Sequence, residues 1–452
     1  MVQYALSGLW EGRYEVNRPT GALLASLAWG ATAAGGDCVA GRTLKDTPVY
    51  EPGEEIAFEL SVRGFEGRDR AGWCFSWQRT GDDGTREAGK APADKPFVYR
   101  TSLDRPGFVR LHGTLVDADG RPVRRIVREK SVPTIFDLGA GVAIGKIAPA
   151  AAEPADFDAL WARHRANLAG VAWKDAVQLK AIPSPVAGVR LYEFSLPCYG
   201  GHPATGHLAV PEKAGKYPAW AKFFGYNESW TYRRAIAPPR KISANCLSIW
   251  VSAHGFEMGR EESYYKEERR RRKSNGFGHA FDPAQNADPE TAYFAGMTYR
   301  VMRALEFLKS RPEWDGKNLT VAGGSQGGLQ SIWAAALVPG VSECAISIPW
   351  CCDMAGSANG RNHGDWYVKW APGLGYYDPV NMAPRIPATC RVKVSMAGLG
   401  DYVCPPTGVM AFYNRIAKAP KSILFVQNAQ HGNHLQSKPE QCFGFEGEWR
   451  RQ

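Results

Sequence analysis

A chain of 452 residues, 44% hydrophobic and 22% charged, has ample apolar material for a packed core and exceeds one small domain, so two domains are expected. Lys and Arg outnumber Asp and Glu by 55 to 45, and part of that excess sits in the run Arg269 to Lys273, directly behind Glu267 and Glu268. No aromatic-rich RNA motif or zinc spacing accompanies the run, so it reads as a solvated face partly neutralised by its glutamates, and nucleic acid is excluded as a partner. The ten cysteines are scattered without C-x-x-C pairs, which fits buried thiols and gives neither a disulfide framework nor a metal site. No apolar stretch is long enough to span a membrane.

Residues 1–36 form an N-terminal arm or signal-like segment. Gly21 to Trp29 is a short apolar run behind Arg18, and Ala31-Thr32-Ala33 resembles a small-residue cleavage site. Glu11 and Glu15 ahead of Arg18 are unusual in a secretory signal, but the segment favours export to the periplasm or medium, with a cytoplasmic location as the alternative. Residues 37–135 read as a small β-sandwich of immunoglobulin-like type. Glu55 to Val62 alternates with period two, Phe97 to Tyr99 and Phe108 to Val116 look alike, and Asp117-Ala118-Asp119-Gly120 is a hairpin turn. Residues 136–154, rich in Ala, Gly and Pro, read as a linker.

From 155 to 452 the pattern changes. Asp156 to Leu168 has helical spacing, and after residue 190 apolar strands alternate with helices, among them 219–224, 246–252, 319–322, 344–349, 392–397 and 423–427. This alternation predicts an α/β domain with a doubly wound, mostly parallel sheet. The charged stretch 255–290 reads as an irregular insertion of the kind that forms lids or oligomer contacts.

Within that domain, Gly323-Gly324-Ser325-Gln326-Gly327 lies between the strand 319–322 and a helix starting at Gln326. A serine on such a turn is lifted above the sheet, with the Gln326 amide at the helix start as an oxyanion donor. Serine needs a base, and in the α/β-hydrolase arrangement the acid and histidine follow it in sequence. Asp401, behind the strand 392–397, is the acid; a helix-capping aspartate is its bland alternative. Behind the strand 423–427 come His431 and His434, of which His431 is preferred because Gly432 leaves it room. The loop Phe224-Gly225-Tyr226 supplies the second oxyanion donor through the Tyr226 amide. Trp350, at the end of the strand 344–349, is a pocket wall or plain core. His254 precedes the serine and is read as shaping the pocket or as structural.

With these residues in hand, residues 155–450 resemble the acetyl xylan esterase and cephalosporin-C deacetylase family of α/β-hydrolases. The resemblance rests on Gly323 to Gly328, Arg303 to Glu313, Gly398 to Pro406, Tyr413 to Ile416 and Phe224 to Asn227. It implies deacetylation of sugar hydroxyls by Ser325, Asp401 and His431, with the Tyr226 and Gln326 amides as oxyanion hole. Two places depart from the family pattern: its Arg-Gly-Gln is replaced by His254-Gly255-Phe256-Glu257, and its Gly-His-Glu by Gln430-His431-Gly432. No metal or cofactor is required, the partner is an acetylated oligosaccharide or other small ester, and a homo-oligomer stays open. The rivals are an esterase for larger acyl groups such as feruloyl, a serine peptidase, and a sugar-binding protein whose hydrolase domain is degenerate.

Overall fold

The protein is described from a computed structural model, which covers residues 36–226, 238–239, 242–436 and 441–445. The signal-like segment 21–33 lies outside the described residues.

The N-terminal region builds two sheets. Cys38–Thr43, Ile56–Arg63 and Phe97–Thr101 form a three-stranded antiparallel sheet. The second runs in the order Val49–Tyr50, Ile135–Val142, Gly107–Val116, Cys74–Gly81 and Glu87–Pro92. Alternating side chains of the strands point to one side, as the period of two requires. Phe58, Leu60, Phe75, Leu111 and Leu138 thereby meet in one core. The turn read at Asp117 is present, with its carboxylate accepting from the amides of Asp119 and Arg121.

The linker expected over 136–154 is corrected. Ile135–Val142 is an inner strand of the five-stranded sheet, paired along its whole length with Gly107–Val116. Its Gly139-Ala140-Gly141 composition imitates a linker, but the small residues answer a packing demand. A Cβ on Gly139 would stand 2.5 Å from the carbonyl oxygen of Leu399.

The larger body is a ten-stranded sheet in the order Gln178–Ile182, Val189–Leu196, Ala204–Pro211, Leu247–Val251, Tyr217–Phe223, Trp314–Ser325, Glu343–Pro349, Arg391–Gly398, Lys421–Val426 and Cys442–Phe445. The run from Leu247–Val251 to Lys421–Val426 is parallel. Its apolar strands are covered by helices, among them Tyr293–Ser310 and Gln326–Leu337, and Leu319, Val321, Ile332, Trp333 and Ile346 share the main core. The chain passes from Tyr217–Phe223 to its neighbour on one side and then to Trp314–Ser325 on the other. That reversal opens a crevice at the carboxyl ends of those strands, where ligands of such sheets bind.

The insertion at 255–290 is less irregular than its composition suggests, since Glu262–Arg271 is a helix. Along its end Glu267 pairs with Arg270 at 2.7 Å, and Glu268 with Arg272 at 2.7 Å. The i,i+3 and i,i+4 spacing of the charges makes these pairs possible, and solvent-exposed ones contribute only about 0–1 kcal/mol each. Among the described residues no helix is long and apolar enough to cross a membrane.

Burial lowers the pKa of His207, on the strand Ala204–Pro211, to about 4. Among the described residues neither of its ring nitrogens has a hydrogen-bond partner, and the side chain is fully buried. The folded chain therefore holds this ring neutral where the unfolded chain protonates it, between the ordinary imidazole value of 6.5 and about 4. The unfolded state binds the extra proton, so stability is intact above that window and is lost as pH falls through it. His207→Leu is expected to remove one proton from the pH slope, about 1.4 kcal/mol per pH unit within the window. Urea unfolding at pH 7, 6 and 5 measures it; equal slopes for both chains would refute the assignment.

Candidate active site

The strand Trp314–Ser325 and the helix Gln326–Leu337 join without a loop, so the whole change of direction falls on one residue. Ser325 takes φ 55° and ψ −125°, a conformation side chains rarely adopt. The turn closes because a Cβ is missing on both sides of it. On Gly323 it would lie 2.3 Å from the Gly327 backbone, and on Gly327 it would lie 2.3 Å from the Phe223 carbonyl oxygen. The Trp350 amide donates to the Ser325 carbonyl at 3.1 Å and ties the elbow to the next strand.

Asp401 follows Arg391–Gly398 and His431 follows Lys421–Val426, so adjacent parallel strands deliver both to the crevice. His431 Nε2 lies 3.1 Å from Ser325 Oγ, and His431 Nδ1 lies 3.0 Å from Asp401 Oδ2. The other Asp401 oxygen accepts from the amides of Val403 at 3.0 Å and Cys404 at 2.9 Å, so the loop-capping role coexists with the contact to histidine. Asp401 is 1% exposed and the His431 side chain 26%, which leaves the imidazole reachable from solvent while the carboxylate is not.

His434 is not part of this chain of contacts. It pairs in a short hairpin with Ala429, and burial lowers its pKa to about 4. Gln326 is the first residue of the helix and fully buried. The loop Phe224-Gly225-Tyr226 approaches from the Tyr217–Phe223 strand, where a Cβ on Gly225 would be 3.8 Å from Ser325 Cβ. Gln330 Nε2 donates to the Phe224 carbonyl at 3.2 Å and holds that loop against the elbow helix.

Trp350 is both core and wall. It is 1% exposed and it lines a cavity with Asn362, His363, Trp366, Tyr367 and Val403. Its ring stands 5.9 Å from Tyr226 and 5.9 Å from Phe281, and those two rings reach Trp366 at 5.1 and 5.3 Å. Trp366 is 41% exposed, so an aromatic wall runs from the elbow to solvent. Sequence reasoning missed Phe281 and Trp366 because no periodicity or motif marks either one.

The pocket role read for His254 is not where the residue lands. Its Nδ1 faces the Tyr293 hydroxyl at 2.8 Å and its ring lies against His279 and Phe256, a structural cluster. The physical reason is sheet order: Leu247–Val251, which it follows, is two strands from Trp314–Ser325.

Cys404 is a further residue the sequence did not single out. Its thiol is pushed well above its usual pKa by burial and by the Asp401 carboxylate, against a hydrogen bond from Ser325. Ligand atoms of Asp401, Cys404 and His431 all lie within 4.8 Å of one another, a donor set that suits a thiophilic cation. Asp401 and His431 are already engaged with each other, so a cation using both would break their contact.

The parallel sheet, the strained serine turn and the Ser–His–Asp contacts define an α/β-hydrolase-type fold. The family model "Acetyl xylan esterase (AXE1)" matches residues 135–448, and the chain belongs to that family. Acetyl esterase Axe7A of Xylanibacter ruminicola is 30% identical over 297 residues, 63% of this chain, and the match spans 64% of that relative's length. An acetyl xylan esterase from Paenibacillus sp. R4 superposes with a TM-score of 0.51 at 23% identity, over 64% of this chain and 93% of the other. Acetyl xylan esterase 1 from Thermoanaerobacterium sp. JW/SL YS485 gives 0.50 at 23% identity, over 64% and 92%. These two share the fold.

Gly327→Ala drives a methyl group into the Phe223 carbonyl and is expected to lower the unfolding free energy by about 1–3 kcal/mol, the usual cost of overpacking. A denaturant midpoint equal to that of the unmodified chain would show that the elbow is not closed by these contacts.

Proposed function

We propose that this protein is a serine carbohydrate esterase that removes acetyl groups from xylan, xylo-oligosaccharides or related sugars. The observation that carries this reading is the unbroken Asp401–His431–Ser325 hydrogen-bond chain at 3.0 and 3.1 Å, in a member of the acetyl xylan esterase family. Ser325 Oγ attacks the acetyl carbonyl carbon while His431 Nε2 takes its proton, and Asp401 Oδ2 holds Nδ1–H and stabilises the imidazolium. His431 then gives the proton to the sugar oxygen as the ester C–O bond breaks, leaving an acetyl group on Ser325. Water, deprotonated by His431, repeats the attack and releases acetate. The Gln326 and Tyr226 amides receive the oxyanion. The steps call for no cofactor.

In the same reading, residues 36–142 are an immunoglobulin-like sandwich, residues 143–154 the connection, and the remainder the catalytic domain; residues 21–33 direct export. A second reading draws on the aromatic wall of Tyr226, Phe281, Trp350 and Trp366, which has the surface to take a larger aromatic acid such as ferulate.

Acetate release from acetylated xylo-oligosaccharides tests the first reading, with feruloylated oligomers in parallel. Ser325→Ala is expected to lower kcat by on the order of 10⁴–10⁶-fold, the range for loss of a triad serine. Activity that survives the substitution would remove Ser325 as nucleophile, and ferulate release faster than acetate would move the substrate to the second reading. Trp366→Ala is expected to raise KM for the acetylated oligosaccharide about 2- to 10-fold, the equivalent of one ring contact at roughly 0.5–1.5 kcal/mol. An unchanged KM would take Trp366 out of the binding surface.

A further inference from the structure

The residues beside Asp401 and His431 are gripped from outside the catalytic sheet. Among the described residues, the strand Ile135–Val142 meets Val49–Tyr50 only at Gly141 and Val142, which leaves most of that edge without a strand neighbour. Side chains of the loop leading to His431 occupy it. The Asp137 amide donates to Asn428 Oδ1 at 2.9 Å, the Gly139 amide to Gln427 Oε1 at 2.9 Å, and Gln427 Nε2 donates to the Gly139 carbonyl at 2.8 Å. Such side chains satisfy an edge that would otherwise present unpaired backbone groups.

Asp137 completes the grip. Its carboxylate is fully buried and accepts from Arg110 Nε and Nη2, each at 2.7 Å. One of its oxygens also accepts from Gln430 Nε2 at 2.8 Å, and Gln430 directly precedes His431. The Arg110 guanidinium stands 4.2 Å from the centre of the Tyr402 ring, and Tyr402 directly follows Asp401. The backbones abut at the same place, since a Cβ on Gly400 would lie 2.5 Å from the Asp137 carbonyl oxygen. One carboxylate and one guanidinium of the N-terminal sheets therefore touch the chain neighbours of both the acid and the base.

We propose that Asp137 and Arg110 are positioning residues of the triad, which set the spacing of the Asp401 and His431 loops and make the N-terminal sheets part of the catalytic unit. The proposal rests on the triad reading above. Past the shared ladder of Arg391–Gly398 and Lys421–Val426 the two loops are tied by the Leu399 amide to the Val426 carbonyl at 2.9 Å and the Gly400 amide to the Ala429 carbonyl at 3.0 Å, and Arg110 and Asp137 act just beyond those ties, on Tyr402 and Gln430. A proton relay through His431 tolerates a misplacement of well under about 1 Å, and a shift of that size costs up to about 100-fold in rate.

The test uses the full chain and two readouts, acetate release and the second-order rate of inactivation by diisopropyl fluorophosphate. In the latter the Ser325 Oγ–P bond forms, His431 takes the serine proton and fluoride leaves, so the rate reports the relay without sugar binding. Gln430→Met removes the donor to Asp137 and is expected to lower kcat and the inactivation rate together by about 10- to 100-fold, with KM within about 2-fold. Gln430→Lys, which returns a donor toward the carboxylate, is expected to regain most of that loss. The control is Thr43→Val, which removes the hydroxyl contact to Gln441 Oε1 at 3.0 Å in the same interface and leaves the Asp137 and Arg110 contacts in place. It is expected to lower the melting temperature and leave both rates alone.

Wild-type rates in a folded Gln430→Met chain, or equal slowing in Thr43→Val, would overturn the proposal. Should Gln430→Met fail to fold, Arg110→Lys decides by the same thresholds, because it keeps the charge but loses the two-point contact and the planar face over Tyr402. Ser325→Ala is run alongside: activity surviving there sinks the triad reading, whereas an inactive Ser325→Ala with an unaffected Gln430→Met sinks only the positioning role.

Discussion

The arrangement depends on one backbone conformation, the left-handed turn at Ser325. A non-glycine residue held there costs on the order of 1–3 kcal/mol and persists only where its surroundings over-determine it. Here the strand pairs on both sides, the register shifts between Gly324 and Ser325, and the helix Gln326–Leu337 begins at once. Two missing side chains, at Gly323 and Gly327, let strand, helix and the Phe223 backbone close on that point. The strain presents the hydroxyl where His431 can reach it and sets the Gln326 amide at a helix start. A relaxed turn would give up that hydroxyl position.

Polar contacts join the two bodies nearest the site, beside apolar ones such as Phe108 against Phe425 at 5.9 Å. Asp82, on the turn after Cys74–Gly81, accepts from the Phe108 amide at 2.7 Å, the Asn362 amide at 2.9 Å and the Thr407 hydroxyl at 2.5 Å. Burial pushes its carboxyl pKa upward against those hydrogen bonds. A buried charge pair such as Arg110–Asp137 contributes little net stability, since desolvation offsets much of the attraction, but it is demanding in geometry. That demand falls at the shared boundary beside the loops that carry Asp401 and His431. Asn362 and Thr407 both line the cavity beside Trp350, so the N-terminal sheets also support the pocket wall.

Electrostatics and aromatic surface divide the crevice. On one side lie the buried Asp401 and the half-exposed His431; on the other, rings lead from Trp350 outward to Trp366. Cys404, beside the serine hydroxyl, stays protonated because burial opposes its ionisation.

The sequence by itself determined the local chemistry. Glycines spaced around Ser325, an acid behind one strand and a histidine behind the next are short-range patterns, and period-two alternation marked Ile56–Arg63 just as apolar runs marked the parallel strands. It also misjudged what depends on distant partners. Gly139-Ala140-Gly141 read as a linker because composition does not reveal that Leu399, far along the chain, abuts that backbone. His254 stayed open between a pocket role and a structural one because strand order in the sheet is not written in strand order along the chain. The aromatic wall joins Tyr226, Phe281, Trp350 and Trp366, and the grip on the triad loops joins Arg110, Asp137, Tyr402 and Gln430. Only the tertiary structure decided these, because contacts between residues hundreds of positions apart are fixed by how layers pack and leave no periodic trace.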